Sequence, residues 1–82
     1  MNKYTVKFFA KCPTNGVRVE YTLEITTNKT IKVEMLIETV GQYDGWYHED
    51  IADNLLERFG GEQNLSALHH GVFIETKRKE KS

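Results

Sequence analysis

Apolar and polar residues alternate along the first part of the chain. In YTVKFFAK (4–11), Tyr4, Val6, Phe8 and Ala10 share one face, and Thr5, Lys7, Phe9 and Lys11 share the other. A period of two is the mark of a strand. PTNG (13–16) follows, and Asn15-Gly16 accepts the positive φ of a tight hairpin. VRVEYTLEI (17–25) then alternates without a break, with Val17, Val19, Tyr21, Leu23 and Ile25 on one side. Arg18, Glu20, Thr22 and Glu24 take the other, which predicts a half-buried antiparallel strand. TTNKT (26–30) is a second turn. IKVEM (31–35) alternates again, while EMLIETV (34–40) also suits a short helix, so this stretch is compatible with either. GQYDG (41–45) reads as a loop.

The period changes at WYHEDIADNLLERF (46–59). Ile51, Leu55 and Phe59 recur every fourth residue, joined by Ala52 and Leu56, opposite a wet side of Glu49, Asp50, Asp53, Asn54, Glu57 and Arg58. This predicts a helix with Asp44 as its N-cap, ended by Gly60-Gly61. EQNLSA (62–67) reads as a loop and LHHGVFIETK (68–77) as one final strand. RKEKS (78–82) reads as a frayed charged tail. The expected fold class is α+β: an antiparallel sheet, built on a β-hairpin with one or two further strands, packed against one or two helices. Residues 1–78 form a single domain, and 79–82 its charged end.

Composition narrows the function classes. Eighty-two residues make one domain, with 39% apolar and 28% charged side chains. Eleven basic and 12 acidic residues leave a net charge of −1, so no general field draws in nucleic acid. One cysteine cannot form an internal disulfide, which points to a reducing, cytoplasmic setting. MNKYTVKFF lacks the apolar run and cleavage site of a signal peptide, and no stretch reaches the ~20 apolar residues of a membrane span.

Candidate chemistry begins at Cys12, beside the only proline and at the mouth of the hairpin. A thiol there is reachable, and Lys11 or a histidine could favour its thiolate. The plainer reading is a strand-end residue that packs as a small hydrophobe. His48 precedes Ala52 and Leu55 on the apolar stripe of the helix, so it leans toward the sheet. It is either an acid–base group or a packed ring bonded to a carbonyl. His69 and His70 are neighbours on a strand and face opposite ways, so at most one can join Cys12 and His48. Their spacing matches no compact zinc motif. Tyr43, Trp46 and Tyr47 form either a stacking wall for a flat heterocycle or a lid over the helix end.

Four separated stretches resemble one family. FFAKCPTNG resembles the F-x-x-x-C-P-x-x-G segment of the QueF-type nitrile reductases, and IKVE, ending at Glu34, resembles the V-E that opens their next segment. GWYHEDIADNLLERF resembles G-x-F-H-E-D-x-x-N-x-x-x-x-x-L, and HGVFIETKR resembles the following G-x-F-x-x-R strand. The order is the same, over residues 8 to 78. The resemblance implies the tunnelling fold, in which two strands, two helices and two strands form a unit. Subunits there pool strands into a barrel, with sites at their interfaces. It also implies chemistry on 7-cyano-7-deazaguanine (preQ0). Cys12 would add to the nitrile as a covalent thioimide, with His48 handling protons or holding the ligand. Glu34 and Glu49 would accept from the purine-like N–H edge, with Trp46 beside it.

The departures shape that expectation. Val19 stands where the family has an aspartate seven residues after its cysteine, and Glu20 faces the other side of the strand. EMLIE lacks the lysine of the reductases' E-S-K-S-L cofactor motif, which argues against NADPH. The nearer likeness is to the archaeal QueF-like amidinotransferases, which act on preQ0 in tRNA, use an amine in place of hydride, and imply no cofactor. The loop before the G-x-[FY]-H-E-D stretch is shorter, and the last strand of the unit is expected to be missing. Such a chain would hide its open edge in a homo-oligomer, with tRNA as a further partner. The alternative is a non-catalytic small α+β module, cytosolic or viral, that binds a protein or small ligand through its exposed sheet face and aromatic loop and leaves Cys12 inert.

Overall fold

A computed structural model describes residues 1–81. Strands β1 (Asn2–Lys11) and β2 (Arg18–Thr27) form the expected hairpin. Helices α1 (Val33–Val40) and α2 (His48–Phe59) follow, then strands β3 (Glu62–His69) and β4 (Val72–Lys79). The four strands pair antiparallel in sequence order, and the helices cover one face. The fold is α+β, as the pattern predicts.

The hairpin closes where the sequence places it. Cys12 N–H donates to the Val17 carbonyl at 2.8 Å and Gly16 N–H to the Cys12 carbonyl at 2.9 Å. Gly16 takes φ +72°, and the Asn15 side chain accepts from Val17 N–H at 3.0 Å. Phe8, Ala10, Val19, Tyr21, Leu23 and Ile25 all point inward and are buried. Against them pack Ile51, Ala52 and Leu55 of α2 and Leu36 and Val40 of α1.

The structure resolves the ambiguous stretch and corrects four expectations. Residues 33–40 are helical, with Leu36, Thr39 and Val40 buried at helical spacing, while Val33, Met35 and Ile37 lie exposed. Residues 62–67 are strand, not loop. Gln63, Leu65 and Ala67 face the core, and the Gln63 amide donates to the carbonyls of Leu55 at 2.9 Å and Gly60 at 2.8 Å. It thereby satisfies orphan groups at the end of α2. Residues 68–77 are not one strand but parts of two, joined by a two-residue turn at His70 (φ 53°) and Gly71 (φ 80°). Positive φ at both positions is the type I′ hairpin solution. The last strand of the two-strand, two-helix, two-strand order is therefore present. Arg78 and Lys79 belong to β4 and not to a tail. Arg78 joins β4 to α2 through Glu49 and through Asp53 at 3.0 Å.

Candidate functional site

The loop between the helices decides what surrounds Cys12. Asp44 does not cap α2, whose N-cap is Tyr47. Its carboxylate instead accepts from Lys11 N–H at 2.8 Å, while Gly45 N–H donates to the Lys11 carbonyl at 2.9 Å. These two bonds stitch the loop to the end of β1, one residue before the cysteine. Tyr43 anchors the same loop from below. It is buried, its hydroxyl donates to Asn54 at 2.8 Å, and its ring meets Trp46 edge-on at 5.2 Å. Burial pushes the Tyr43 phenol up to about 12, so it remains a donor at every working pH. Trp46, Tyr47 and His48 are thus delivered to the mouth of the first hairpin.

They close a pocket of about 150 Å³. Cys12, Pro13 and Thr14 form one wall, Trp46, Tyr47 and His48 another, and Tyr21 and His69 lie among the remaining lining residues. Drug-sized sites run to roughly 300 Å³ or more, so this space suits one small flat ring system. Wider hollows between Lys3 and Lys79 and between Thr27 and Lys81 are open grooves, and neither contains a thiol or a histidine.

Cys12 is only 6% exposed, yet it lines the pocket at the surface turn. The backbone N–H groups of Thr14 and then Asn15 hold its pKa below the ordinary thiol value. Burial opposes this in part, and the Thr14 hydroxyl adds to it. Donors aimed at a sulfur favour the thiolate, which is the nucleophilic form.

His48 faces the sheet, as its place on the apolar stripe predicts. Its Nε2 lies 2.9 Å from the Thr76 hydroxyl, and its ring packs 5.6 Å from that of Tyr21. Burial is the main cause that lowers its pKa, so the ring is neutral near pH 7. The His48 Nδ1 is buried without a partner.

The structure thus brings together Cys12, His48 and Trp46. Glu34 and Glu49 lie elsewhere: Glu34 is exposed in the first turn of α1, and Glu49 is exposed and engaged by Arg78. Val19, at the family's aspartate position, is buried and lines the pocket without a charge. His69 and His70 are not back to back on one strand. His69 ends β3 and points inward, and His70 occupies the turn with its ring 4.5 Å away. Sequence reasoning left Tyr21 and His69 without a role. The inward alternation from Leu65 through Ala67 to His69 would have placed the histidine in the pocket, had β3 been read as a strand.

Among the described residues no group of His, Cys, Asp and Glu is arranged to hold a metal ion, and no helix is long and apolar enough to cross a membrane. Comparison with protein-family models, curated proteins and solved structures found no match.

Proposed function

We propose that the chain is a QueF-like protein that binds preQ0 in the Cys12 pocket and adds its thiol to the nitrile. The carrying observation is the single pocket in which a thiol with lowered pKa, the neutral imidazole of His48 and the indole of Trp46 meet. A thiolate attacks an electrophilic nitrile carbon, and an aromatic wall holds a flat heterocycle by stacking. The element order of two strands, two helices and two strands supports the same reading. The first step joins sulfur to the nitrile carbon and moves one proton to nitrogen, giving a thioimide. In the second, an amine displaces the thiol to give an amidine, as in an amidinotransferase. No hydride is needed, in keeping with the absent lysine motif.

On this reading the protein works as a homo-oligomer in the cytoplasm, where a free thiol persists, and tRNA carrying the base is its larger substrate. Glu34 and Glu49 do not line the pocket of their own chain, so on this reading any contact they make with the purine-like edge is to a ligand held by a neighbouring copy.

Incubation with preQ0 followed by intact mass spectrometry tests the proposal. The expected product is the protein plus one whole preQ0, with no leaving group, and Cys12→Ala abolishes it. Unmodified protein at saturating preQ0 removes the reading.

A further inference from the structure

Two buried nitrogens on the wall of the Cys12 pocket have no partner within the chain: His48 Nδ1 and His69 Nε2. A buried polar atom left unpaired is destabilising, because it has lost water and gained no partner. Two of them on one small cavity are what a polar ligand would satisfy. The two rings are not equivalent. His48 is held from behind by the Thr76 hydroxyl at 2.9 Å. His69 leans on His70, whose Nε2 meets the Asn15 side chain at 3.0 Å. Asn15 belongs to the same turn that carries Cys12, so the two hairpin tips are tied together with His69 at the thiol's end of the sheet.

We propose that His69 is the proton donor of this site, protonating the nitrile nitrogen as Cys12 adds to the nitrile carbon. The assignment rests on the nitrile chemistry proposed above and adds a residue to it. One carbon–nitrogen π bond breaks, a carbon–sulfur bond forms, and the freed electron pair takes a proton from the His69 ring nitrogen. Neutral His48 accepts the proton that Cys12 loses on ionising, and solvent exchange returns a proton to His69. The net change is addition of S–H across the nitrile, so no oxidant or reductant enters. His48 Nε2 is already engaged by the Thr76 hydroxyl, whereas His69 Nε2 is buried at the pocket with no partner within the chain, which places donation on the second imidazole.

Two electrophiles separate donation from mere shape. Iodoacetamide alkylates Cys12 with loss of iodide and needs no proton. Addition to 2-cyanopyrimidine or to preQ0 needs one on nitrogen. His69→Ala is expected to slow both nitrile additions by about 100-fold and to leave the alkylation rate unchanged. His69→Gln, which keeps an N–H but gives up no proton at neutral pH, behaves the same and decides the matter if the alanine variant melts early. Equal slowing of nitrile addition and alkylation, or slowing of neither, overturns the donor role. If 2-cyanopyrimidine adds with this dependence and preQ0 does not, the deazaguanine reading falls while the donor stands. Failure of Cys12 to add to either nitrile overturns both.

Discussion

His48 is held by neighbours that pull its proton affinity in opposite directions. Burial lowers it most. Glu49 on its own helix raises it, and Arg78 of β4 and His69 of β3 lower it again. Tyr21 of β2 and the Thr76 hydroxyl of β4 complete the surroundings without bringing a charge at neutral pH. The folded value lies below the ordinary 6.5, so the unfolded chain takes up a proton first as pH falls. The contribution of His48 to stability is therefore whole above the unfolded value and is lost as pH falls through the folded one. The melting temperature is expected to drop between pH 7 and pH 5. His48→Gln should flatten that slope, whatever it does to the absolute value. An unchanged slope, read by circular dichroism across this range, would mean that the ring titrates as it does in water.

At the scale of elements, two glycines with the same φ separate two kinds of cost. Gly16 has φ +72°, and a Cβ there would meet nothing within 4 Å. Gly61 also has φ +72°, but its Cβ would lie 2.6 Å from the Thr26 carbonyl of β2. Gly16→Ala therefore costs only the left-handed conformation, about 1–2 kcal/mol. Gly61→Ala must also move the backbone of the neighbouring strand. Its urea midpoint should fall further than that of Gly16→Ala, and equal midpoints would contradict the close approach of α2's exit to β2. The same elements show how far the chain could be read. The first hairpin and α2 were legible because Val17 to Ile25 and Ile51 to Phe59 keep one period each over a long run. β3 was not, because its inward side begins with a glutamine that serves the helix end, and a polar inward residue erases the alternation. The β3–β4 turn was hidden because His70-Gly71 stands where Asn-Gly would announce it. α1 stayed ambiguous because Ile31, Val33, Met35 and Ile37 alternate as in a strand, though three of the four are exposed. The site followed the same logic: Cys12 and His48 could be singled out by position, but the Asp44–Lys11 stitch that brings Trp46 to the thiol is a long-range contact without a local signal.

Over the whole molecule, the helices cover one sheet face and leave the other open, and β1 and β4 each present an unpaired edge among the described residues. Phe9, Leu68 and Phe73 stand exposed on that open face at one end, with the Arg18 guanidinium 4.3 Å over the Phe9 ring. An edge of ten residues with an apolar end invites another strand. The register says which. One row across the open face runs Lys7, Thr22, Ser66, Glu75, placing a cation on one edge and an anion on the other. β4 of a second copy, added antiparallel to β1 so that the rows continue, sets Glu75 against Lys7 and Phe73 against Phe9. Each such cross-strand pair contributes roughly 0.2–1 kcal/mol. The far row brings Lys79 to Lys3, but Glu62 at 3.6 Å and Glu24 at 3.2 Å already neutralise these within each chain. The homo-oligomer proposed above is thus expected to grow head to tail through this edge. Light scattering should give a mass that is a multiple of 9.5 kDa. Lys7→Glu should shift it toward the single chain, and adding Glu75→Lys to the same protein should restore the larger species. A single-chain mass for the unaltered protein at every concentration would sink the assembly, and with it the placement of Glu34 and Glu49 against a neighbour's ligand.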